Sequence, residues 1–244
     1  MKSKKILIFD ISSEFGHYRK FNTTTSPLTY PIPTRTSIAG LLGAIVGQYI
    51  DRYNFYSYFS KKDTGIAIQV INPVKKINIG FNLINTKESF YNISSKGKTR
   101  VGYELLQNPK FRIFYSSDND NLFTEIEQRI KENNHYFTPY LGLSQFTAKV
   151  DYIDTIVGEE INNSDYIEII TAINMKNCSG EKSIKFDYEK KYSVNVMPIE
   201  MELDSEKDRI VTEYSDVIIE ITGESIISKV NSYIKTVYGN IIYL

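Results

Sequence analysis

The sequence predicts an α+β fold of the ferredoxin-like or RRM-like type, with an inserted arm and a β-rich C-terminal extension. Apolar patterns over residues 1–160 follow the order strand, helix, strand, strand, helix, strand, which is typical of that fold. A polar stretch separates the two middle strands, and the chain after residue 160 consists of short β-patterned runs broken by turns. With 244 residues the chain is long enough to bury a large core without disulfides or metal.

The first strand and the first helix are separated by a long polar loop. Residues 4–10 carry a continuous apolar run, as a buried central strand does. Residues 12–35 are rich in aromatic, basic and hydroxyl side chains, and three prolines force extended backbone, so the pattern predicts an ordered loop. Thr34 or Thr36 then provides the N-cap of a helix that continues to about residue 49.

The predicted first helix has a row of small residues. Gly40, Gly43 and Gly47 each cost about 1 kcal/mol relative to alanine inside a helix. At the helical turn of about 100° per residue, they fall on one stripe together with Ala44. We therefore expect another part of the structure, either the sheet beneath or a partner, to approach this helix closely.

The later elements complete the domain plan. Strands are predicted at residues 65–71, 77–83, 111–115 and 147–156, a second helix at 122–133, and further β-runs near 167–173, 192–203, 209–221 and 237–243. The polar residues 87–104 form the arm between the two middle strands. The predicted organisation is an N-terminal domain of residues 1–160, with its thumb-like arm at about 85–105, and a β-rich C-terminal subdomain of residues 161–244.

The composition argues against disulfide, metal and cofactor chemistry. A single Cys178 excludes an intramolecular disulfide and a thiolate zinc cluster, and two distant histidines offer little for another metal site. Residues 118–121 resemble the opening of a calcium loop, but Phe123 stands where that loop needs glycine, so they are predicted to cap the second helix. The motifs of phosphate-binding loops, dinucleotide sites, zinc peptidases and serine hydrolases are missing, and no cofactor is expected.

The apolar patterning also predicts a protein without a membrane partner. The basic start of the chain is followed by only a short apolar run and no cleavage site, so no signal peptide is predicted. The longest apolar run, residues 38–46, is far shorter than the roughly 20 residues that a membrane span needs. We therefore expect a cytoplasmic protein.

A net charge of zero conceals a strong asymmetry between the two halves of the chain. Residues 1–112 carry 17 Lys or Arg against 6 Asp or Glu, a balance of +11. Residues 113–244 carry 12 against 23, a balance of −11. This split indicates a basic surface that could meet a polyanion, or two halves that neutralise each other within one fold. Charge alone leaves both interpretations open.

Two segments of the basic half hold the candidate RNA-binding residues. The candidates are Arg19, Lys20, Tyr30, Arg35 and Thr36 in and after the loop, and Lys96, Lys98 and Arg100 on the arm. The arm residues are spaced two apart, so a strand places all three on one face. Cations and hydroxyl groups bind phosphates while aromatic rings stack on unpaired bases, a combination typical of single-stranded RNA binding. The N-terminus of the first helix adds backbone N–H groups.

Six segments of the chain resemble a known family. They are FDISSEFGHYRKF (9–21), SPLTYPIPTRTSIAGLLGAIVG (26–47), YELLQNPKFRIFYSS (103–117), YFTPYLGLSQFTAKVDYI (136–153), MPIEM (197–201) and IVTEYSDVIIE (210–220). The first two resemble the N-terminal signature of the CRISPR-associated (Cas) protein family five, a branch of the RAMP superfamily. The later segments are similar to its type I-B subgroup, so the resemblance covers nearly the whole chain.

The resemblance implies a fold, a role and a set of partners. The fold would be an RRM-like domain with a β-hairpin thumb and a C-terminal β-rich part. The role would be that of a Cascade-type effector subunit in antiviral defence, which holds the 5′ repeat-derived handle of CRISPR RNA (crRNA) and caps one end of the backbone filament. The partners would be crRNA, the backbone and large subunits, and the endonuclease that cleaves the repeat.

An enzymatic alternative stays open on the sequence. Relatives of type I-C cut precursor crRNA with a tyrosine, a lysine and a histidine and without metal, and this chain has His17, Tyr18 and Lys20 close together. That triad cannot be mapped by motif, and in type I-B systems a separate endonuclease generally cleaves the repeat. A non-catalytic RNA-binding role is therefore the leading hypothesis. A metal-independent endoribonuclease is the second, and a scaffold that binds proteins through its acidic half is the third.

Overall fold

The computed structural model describes residues 3–23, 26–47, 55–84, 98–162, 165–180, 182–206 and 208–244. Its strands are β1 (Ser3–Ser12), β2 (Phe15–Gly16), β3 (Thr64–Val70), β4 (Lys76–Ile84), β5 (Lys98–Gln107), β6 (Lys110–Ser117), β7 (Lys149–Asn162), β8 (Tyr166–Ile169), β9 (Ile173–Asn174), β10 (Ile184–Lys185), β11 (Tyr192–Leu203), β12 (Arg209–Glu220), β13 (Ile226–Lys229), β14 (Ser232–Thr236) and β15 (Gly239–Ile241). Its helices are α1 (Arg35–Val46), α2 (Phe55–Tyr58) and α3 (Asp120–Lys131), with a 3-10 turn at Met175–Asn177. The fold is mixed, with few helices and mostly strands.

A six-stranded antiparallel sheet forms the centre of the molecule, in the order β15-β14-β7-β1-β6-β3. Strand β1 lies between β6 and β7, and both faces of its segment Ile6 to Phe9 are fully buried. Burial on both faces explains why this strand reads as a continuous apolar run rather than an alternating one. Helix α1 connects β1 to β3, and α3 connects β6 to β7.

The central sheet is curled, with a core on each face. The larger core packs α1 and α3 against one face, with Leu7, Phe9 and Ile113 pointing into it. The smaller core lies on the opposite face and includes Ile6, Ile8 and Phe114. The C-terminal residues close the curl, because Leu244 N donates to Ile66 O of β3 at 3.0 Å.

The C-terminal strands are partly continuous with the central sheet. Strands β14 and β15 belong to it, and β7 itself runs through the predicted boundary at residue 160. The run predicted at residues 167–173 is two strands, β8 and β9, while β13 and β14 were not predicted. The domain division at residue 160 stays a prediction.

Helix α1 begins as the sequence predicts and ends earlier. Thr34 is the N-cap, and its side chain accepts a hydrogen bond from Ser37 N. The helix ends at Val46, because Gly47 takes a left-handed conformation with φ of 76°. A Cβ at Gly47 would lie 2.6 Å from the ring of Tyr136, so the close approach at this end comes from the segment before β7 and not from the sheet. The predicted extension to residue 49 lies outside the described residues.

Helix α3 confirms its predicted cap. The Asn119 side chain accepts a hydrogen bond from Leu122 N at 3.1 Å, so this polar segment serves as an N-cap. The buried side chains of α3 recur at three- and four-residue spacing, namely Leu122, Phe123, Ile126 and Ile130. No helix among the described residues is long and apolar enough to cross a membrane.

Candidate nucleic-acid interface

The described residues of the loop 12–34, namely 12–23 and 26–34, form a hydrogen-bonded layer. Its two halves pair with each other, since Lys20 N donates to Leu28 O and Tyr30 N donates to Tyr18 O, both at 2.8 Å. The Thr29 hydroxyl accepts a further hydrogen bond from Tyr18 N at 2.9 Å. These bonds fix the backbone that carries the predicted RNA-binding residues.

Glu104 of β5 joins this loop to the β4–β5 hairpin. One carboxylate oxygen, Oε1, accepts hydrogen bonds from Thr29 N at 3.0 Å and from Lys76 Nζ at 2.9 Å. The backbone of Glu104 also takes part, since its N–H donates to Pro27 O at 3.0 Å and its carbonyl accepts from His17 Nδ1 at 2.8 Å. Glu104 is therefore hydrogen-bonded to three residues of the loop, namely His17, Pro27 and Thr29.

The opposite side of the loop rests on β11, an edge strand of the sheet β11-β12-β9. The Tyr30 hydroxyl donates to Val196 O, and Lys20 Nζ donates to Asn195 Oδ1, both at 2.8 Å. The ring of Phe21 lies 5.0 Å from that of Tyr214, centroid to centroid. The loop is thus fixed between two hairpins that are distant in sequence.

His17 is buried inside this assembly and is 2% exposed. A backbone carbonyl only accepts hydrogen bonds, so the contact with Glu104 O places the imidazole proton on Nδ1. Burial lowers the pKa of His17, and this outweighs the opposing effect of the Glu104 hydrogen bond, which keeps the ring neutral at pH 7. Its Nε2 has no partner among the described residues. In this conformation His17 supports the loop.

The three residues of the enzymatic alternative point to different partners. His17 contacts the Glu104 carbonyl, Tyr18 lines a groove beside α1, and Lys20 reaches Asn195 of β11. Burial raises the pKa of the Tyr18 phenol, which disfavours a phenolate. Burial and then the nearby charge of Lys76 lower the pKa of Lys20. Within the described residues, no hydrogen bond connects one member of this set with another.

Arg35 is a core residue, which corrects its assignment to phosphate binding. Its side chain is 1% exposed, and Nη2 donates to Phe59 O at 3.1 Å, to Thr64 O at 3.1 Å and to Thr64 Oγ1 at 2.9 Å. Its Nη1 lies 3.6 Å from Glu200 Oε1 in an ion pair. The guanidinium thus joins the start of α1 to β3 and β11 and does not face solvent.

Tyr30 also requires a correction. Its ring is 2% exposed because the β11 strand covers it, so it cannot stack on an unpaired base in this conformation. Phe21 of the same loop is instead 61% exposed, and sequence reasoning did not select it. Nothing local distinguishes the two rings, since the covering strand lies more than 160 residues away in sequence.

Three of the remaining candidates are exposed. Arg19 is exposed, and its Nη2 donates to Thr23 O at 2.9 Å. Lys98 and Arg100 are exposed on β5, two residues apart and therefore on one face. Thr36 is half-buried in the first turn of α1. Lys96 lies outside the described residues.

Sequence reasoning missed Glu104 and Lys76. These two residues form an ion pair with each other, and both hydrogen-bond to Thr29 of the loop. A signal was available for Glu104, because it is one of only 6 acidic residues in the basic half of the chain. A carboxylate among many cations has several partners available for pairing, and pairing is what allows a charged side chain to be buried.

A groove of about 650 Å³ opens beside the N-terminal half of α1. Its lining includes Tyr18, Thr36 and Arg209, together with Phe137 and Tyr140, whose side chains are 44% and 46% exposed. Rings and hydroxyl groups with one cation suit an aromatic or ribose group better than a metal ion. Within the described part of the chain, no three His, Cys, Asp or Glu side chains gather as potential metal ligands.

The family model described as "CRISPR-associated protein (Cas_Cas5)" matches residues 6–214. A chain of the solved structure "CRISPR RNA-guided surveillance complex" is similar in fold, with a TM-score of 0.52, 13% identity and 91% of each chain covered. A CRISPR protein from Archaeoglobus fulgidus is similar, with a TM-score of 0.55, 13% identity and 98% of each chain covered. No curated protein sequence matches the chain.

Proposed function

We propose, from the premise that this chain belongs to the Cas5 family of CRISPR-associated proteins, that it is an RNA-binding subunit of a type I-B Cascade complex. It holds the 5′ handle of crRNA and caps one end of the backbone filament in antiviral defence. The observation that carries the proposal is the hydrogen-bonded loop 12–34, which presents the exposed Arg19 and is joined through Glu104 to the β4–β5 hairpin that carries the exposed Lys98 and Arg100.

The finer points of the architecture belong to the same proposal. The order β7-β1-β6-β3 with α1 and α3 as crossing helices corresponds to the ferredoxin-like arrangement. The β4–β5 hairpin is then the base of the thumb at about 85–105. The proposed partners are crRNA, the backbone and large subunits, and the repeat-cleaving endonuclease, in the cytoplasm and without a cofactor.

The proposed binding works through exposed cations on a hydrogen-bonded backbone. Arg19, Lys98 and Arg100 neutralise phosphates and release their counterions, which gives affinity without reading sequence. The Glu104 contacts hold the loop before RNA arrives, so little ordering entropy is lost on binding. The exposed ring of Phe21 supplies a surface on which an unpaired base can stack.

Neutralising the three exposed cations should weaken RNA binding and its salt dependence together. For the variant Arg19→Gln/Lys98→Gln/Arg100→Gln, we expect the slope of log affinity against log salt to fall by about 2, roughly 0.7 for each lost contact with single-stranded RNA. The measurement is fluorescence anisotropy with labelled repeat RNA over a series of salt concentrations.

A matched variant controls for net charge. Lys62→Gln/Lys182→Gln/Lys235→Gln removes the same charge from three exposed lysines elsewhere on the surface and should leave the slope near that of the wild type. Equal slopes for both triple variants would show that the effect is one of net charge, and the proposed interface would be wrong.

His17 distinguishes an RNA holder from a nuclease. We expect His17→Ala to leave crRNA maturation intact in cells, because the buried neutral ring supports the loop and the proton transfers belong to another subunit. Loss of a catalytic acid or base would slow cleavage by about 10² to 10⁴-fold. A northern blot of precursor and mature crRNA measures the difference.

A second variant separates lost support from lost chemistry. In His17→Asn the side-chain amide can still donate to Glu104 O, while it has no titrating group. Accumulated precursor RNA in both folded variants, together with cleavage of repeat RNA by the purified wild-type chain in EDTA, would establish the nuclease instead.

A further inference from the structure

The outer face of the β4–β5 hairpin has a strip without side chains. Gly80 of β4 lies directly opposite Gly102 of β5, and both are exposed. Directly opposed residues of an antiparallel pair point to the same face, so the two glycines leave one continuous gap. Glycine in a strand interior weakens the strand and often marks the close approach of another group.

Another side chain, that of Arg100, fills the space above Gly80, whereas the space above Gly102 is empty. A Cβ added at Gly80 would lie 2.8 Å from Arg100 Nε, 3.2 Å from Nη2 and 3.4 Å from Cζ. A Cβ added at Gly102 would meet nothing within 4 Å. Three atoms of the Arg100 guanidinium therefore lie close to the place that a Cβ of residue 80 would take, so the guanidinium packs over Gly80.

This contact directs Arg100 toward the loop 12–34. Arg100 is opposite Asn82 in the ladder, and Gly80 is two residues nearer the base of the hairpin. Two residues of a strand correspond to about 7 Å, so the guanidinium is folded back by that distance toward Glu104. An extended Arg100 side chain would instead point away from the loop.

The charge of Arg100 is available to a ligand. Glu104, the nearest acidic residue along β5, already accepts hydrogen bonds from Lys76 Nζ at 2.9 Å and Thr29 N at 3.0 Å through one oxygen. Among the described residues, no carboxylate forms an ion pair with Arg100. A planar guanidinium with free N–H groups is suited to a phosphate diester, which it can bind with two hydrogen bonds.

We propose that Gly80 is a positioning residue. Because it has no side chain, the Arg100 guanidinium packs against β4, and in that position the guanidinium binds a phosphate of the RNA next to the loop 12–34. This inference rests on the proposed function. A side chain at residue 80 would displace the guanidinium, whereas one at residue 102 would leave it in place.

The test compares Gly80→Ala with Gly102→Ala, each in the wild-type and in the Arg100→Ala background. Binding of labelled repeat RNA is measured by anisotropy over a salt series, and Tm confirms that each variant is folded. We expect Gly80→Ala to weaken binding about 3- to 10-fold and to lower the salt slope by about 0.7, the value of one phosphate contact with single-stranded RNA. We expect Gly102→Ala to match the wild type.

The Arg100→Ala background identifies the route of the effect. If Gly80 acts through Arg100, Gly80→Ala has no further effect in that background, so the two changes are not additive. Equal losses of RNA affinity in Gly80→Ala and Gly102→Ala would contradict the proposed role of Gly80. A full further loss of affinity from Gly80→Ala in the Arg100→Ala background would contradict it as well. If substitutions of Arg19, Lys98 and Arg100 all leave RNA affinity unchanged, the proposed function itself is wrong. If substitutions of Arg19 and Lys98 weaken RNA binding and Arg100→Ala does not, only the inference about Gly80 and Arg100 is wrong.

Discussion

Replacing Gly142 with alanine is expected to destabilise the fold by at least about 3 kcal/mol, near the upper range for a single substitution. Gly142 has φ of +86°, and a Cβ there would lie 1.8 Å from His17 O and 2.7 Å from His17 C. Backbone atoms cannot move aside as a side-chain end does, and His17 N is already bound to Leu141 O at 3.0 Å. The loop 12–34 must therefore separate from the segment before β7.

Gly180→Ala is the matched control for this substitution. Gly180 has a similar φ of +84°, but a Cβ there would meet nothing within 4 Å. It should cost only the left-handed conformation, about 1 to 2 kcal/mol. Urea denaturation of both variants measures the difference, and equal losses of stability would show that the packing of Gly142 on His17 is not tight.

Replacing Arg35 with methionine is expected to cost about 3 to 5 kcal/mol, the range for breaking a buried ion pair by removing one partner. The substitution removes the cation that pairs with Glu200 and the hydrogen bonds that Arg35 donates to the carbonyls of Phe59 and Thr64. Arg35→Lys keeps the charge but not the planar set of donors, so we expect an intermediate loss. Chemical denaturation of the two variants gives the free energies of unfolding.

The same variants decide what Arg35 does for RNA. Because the guanidinium is buried, any loss of RNA binding in Arg35→Met should follow the unfolded fraction and disappear under conditions in which the variant is folded. A fully folded Arg35→Met protein that still loses RNA affinity and salt slope would return Arg35 to the phosphate interface.

The sequence predicted regular elements well where one local pattern decides them. The apolar run of β1 and the capped, periodic α3 depend on neighbours within a few residues, and both are found. Helix α1 was predicted too long because Gly47 was treated as an interior residue, although a glycine near a helix end often serves as its left-handed cap.

Candidate RNA-binding residues could be proposed from residue type, but their exposure could not be predicted from it. Tyr30 lies in the loop 12–34 and Arg35 begins α1 directly after it. Strand β11 covers both, and a strand that starts at Tyr192 has no signature in residues 12–35. The contact of Glu104 with Thr29 likewise joins residues that are close in space but far apart in sequence, so no local pattern predicts it. The cationic, aromatic segment is the basis on which RNA is proposed as the ligand, while tertiary packing decides which of its side chains are exposed.

The most direct test of the RNA-holding role is ultraviolet crosslinking of the native complex, followed by mass spectrometry of the RNA-linked peptides of this chain. The account predicts links between the repeat-derived 5′ end of crRNA and two peptides, one that contains Arg19 and Phe21 and one that contains Lys98 and Arg100. Links confined to the surface of β14 and β15, or a complex in which this chain carries no linked RNA, would contradict it.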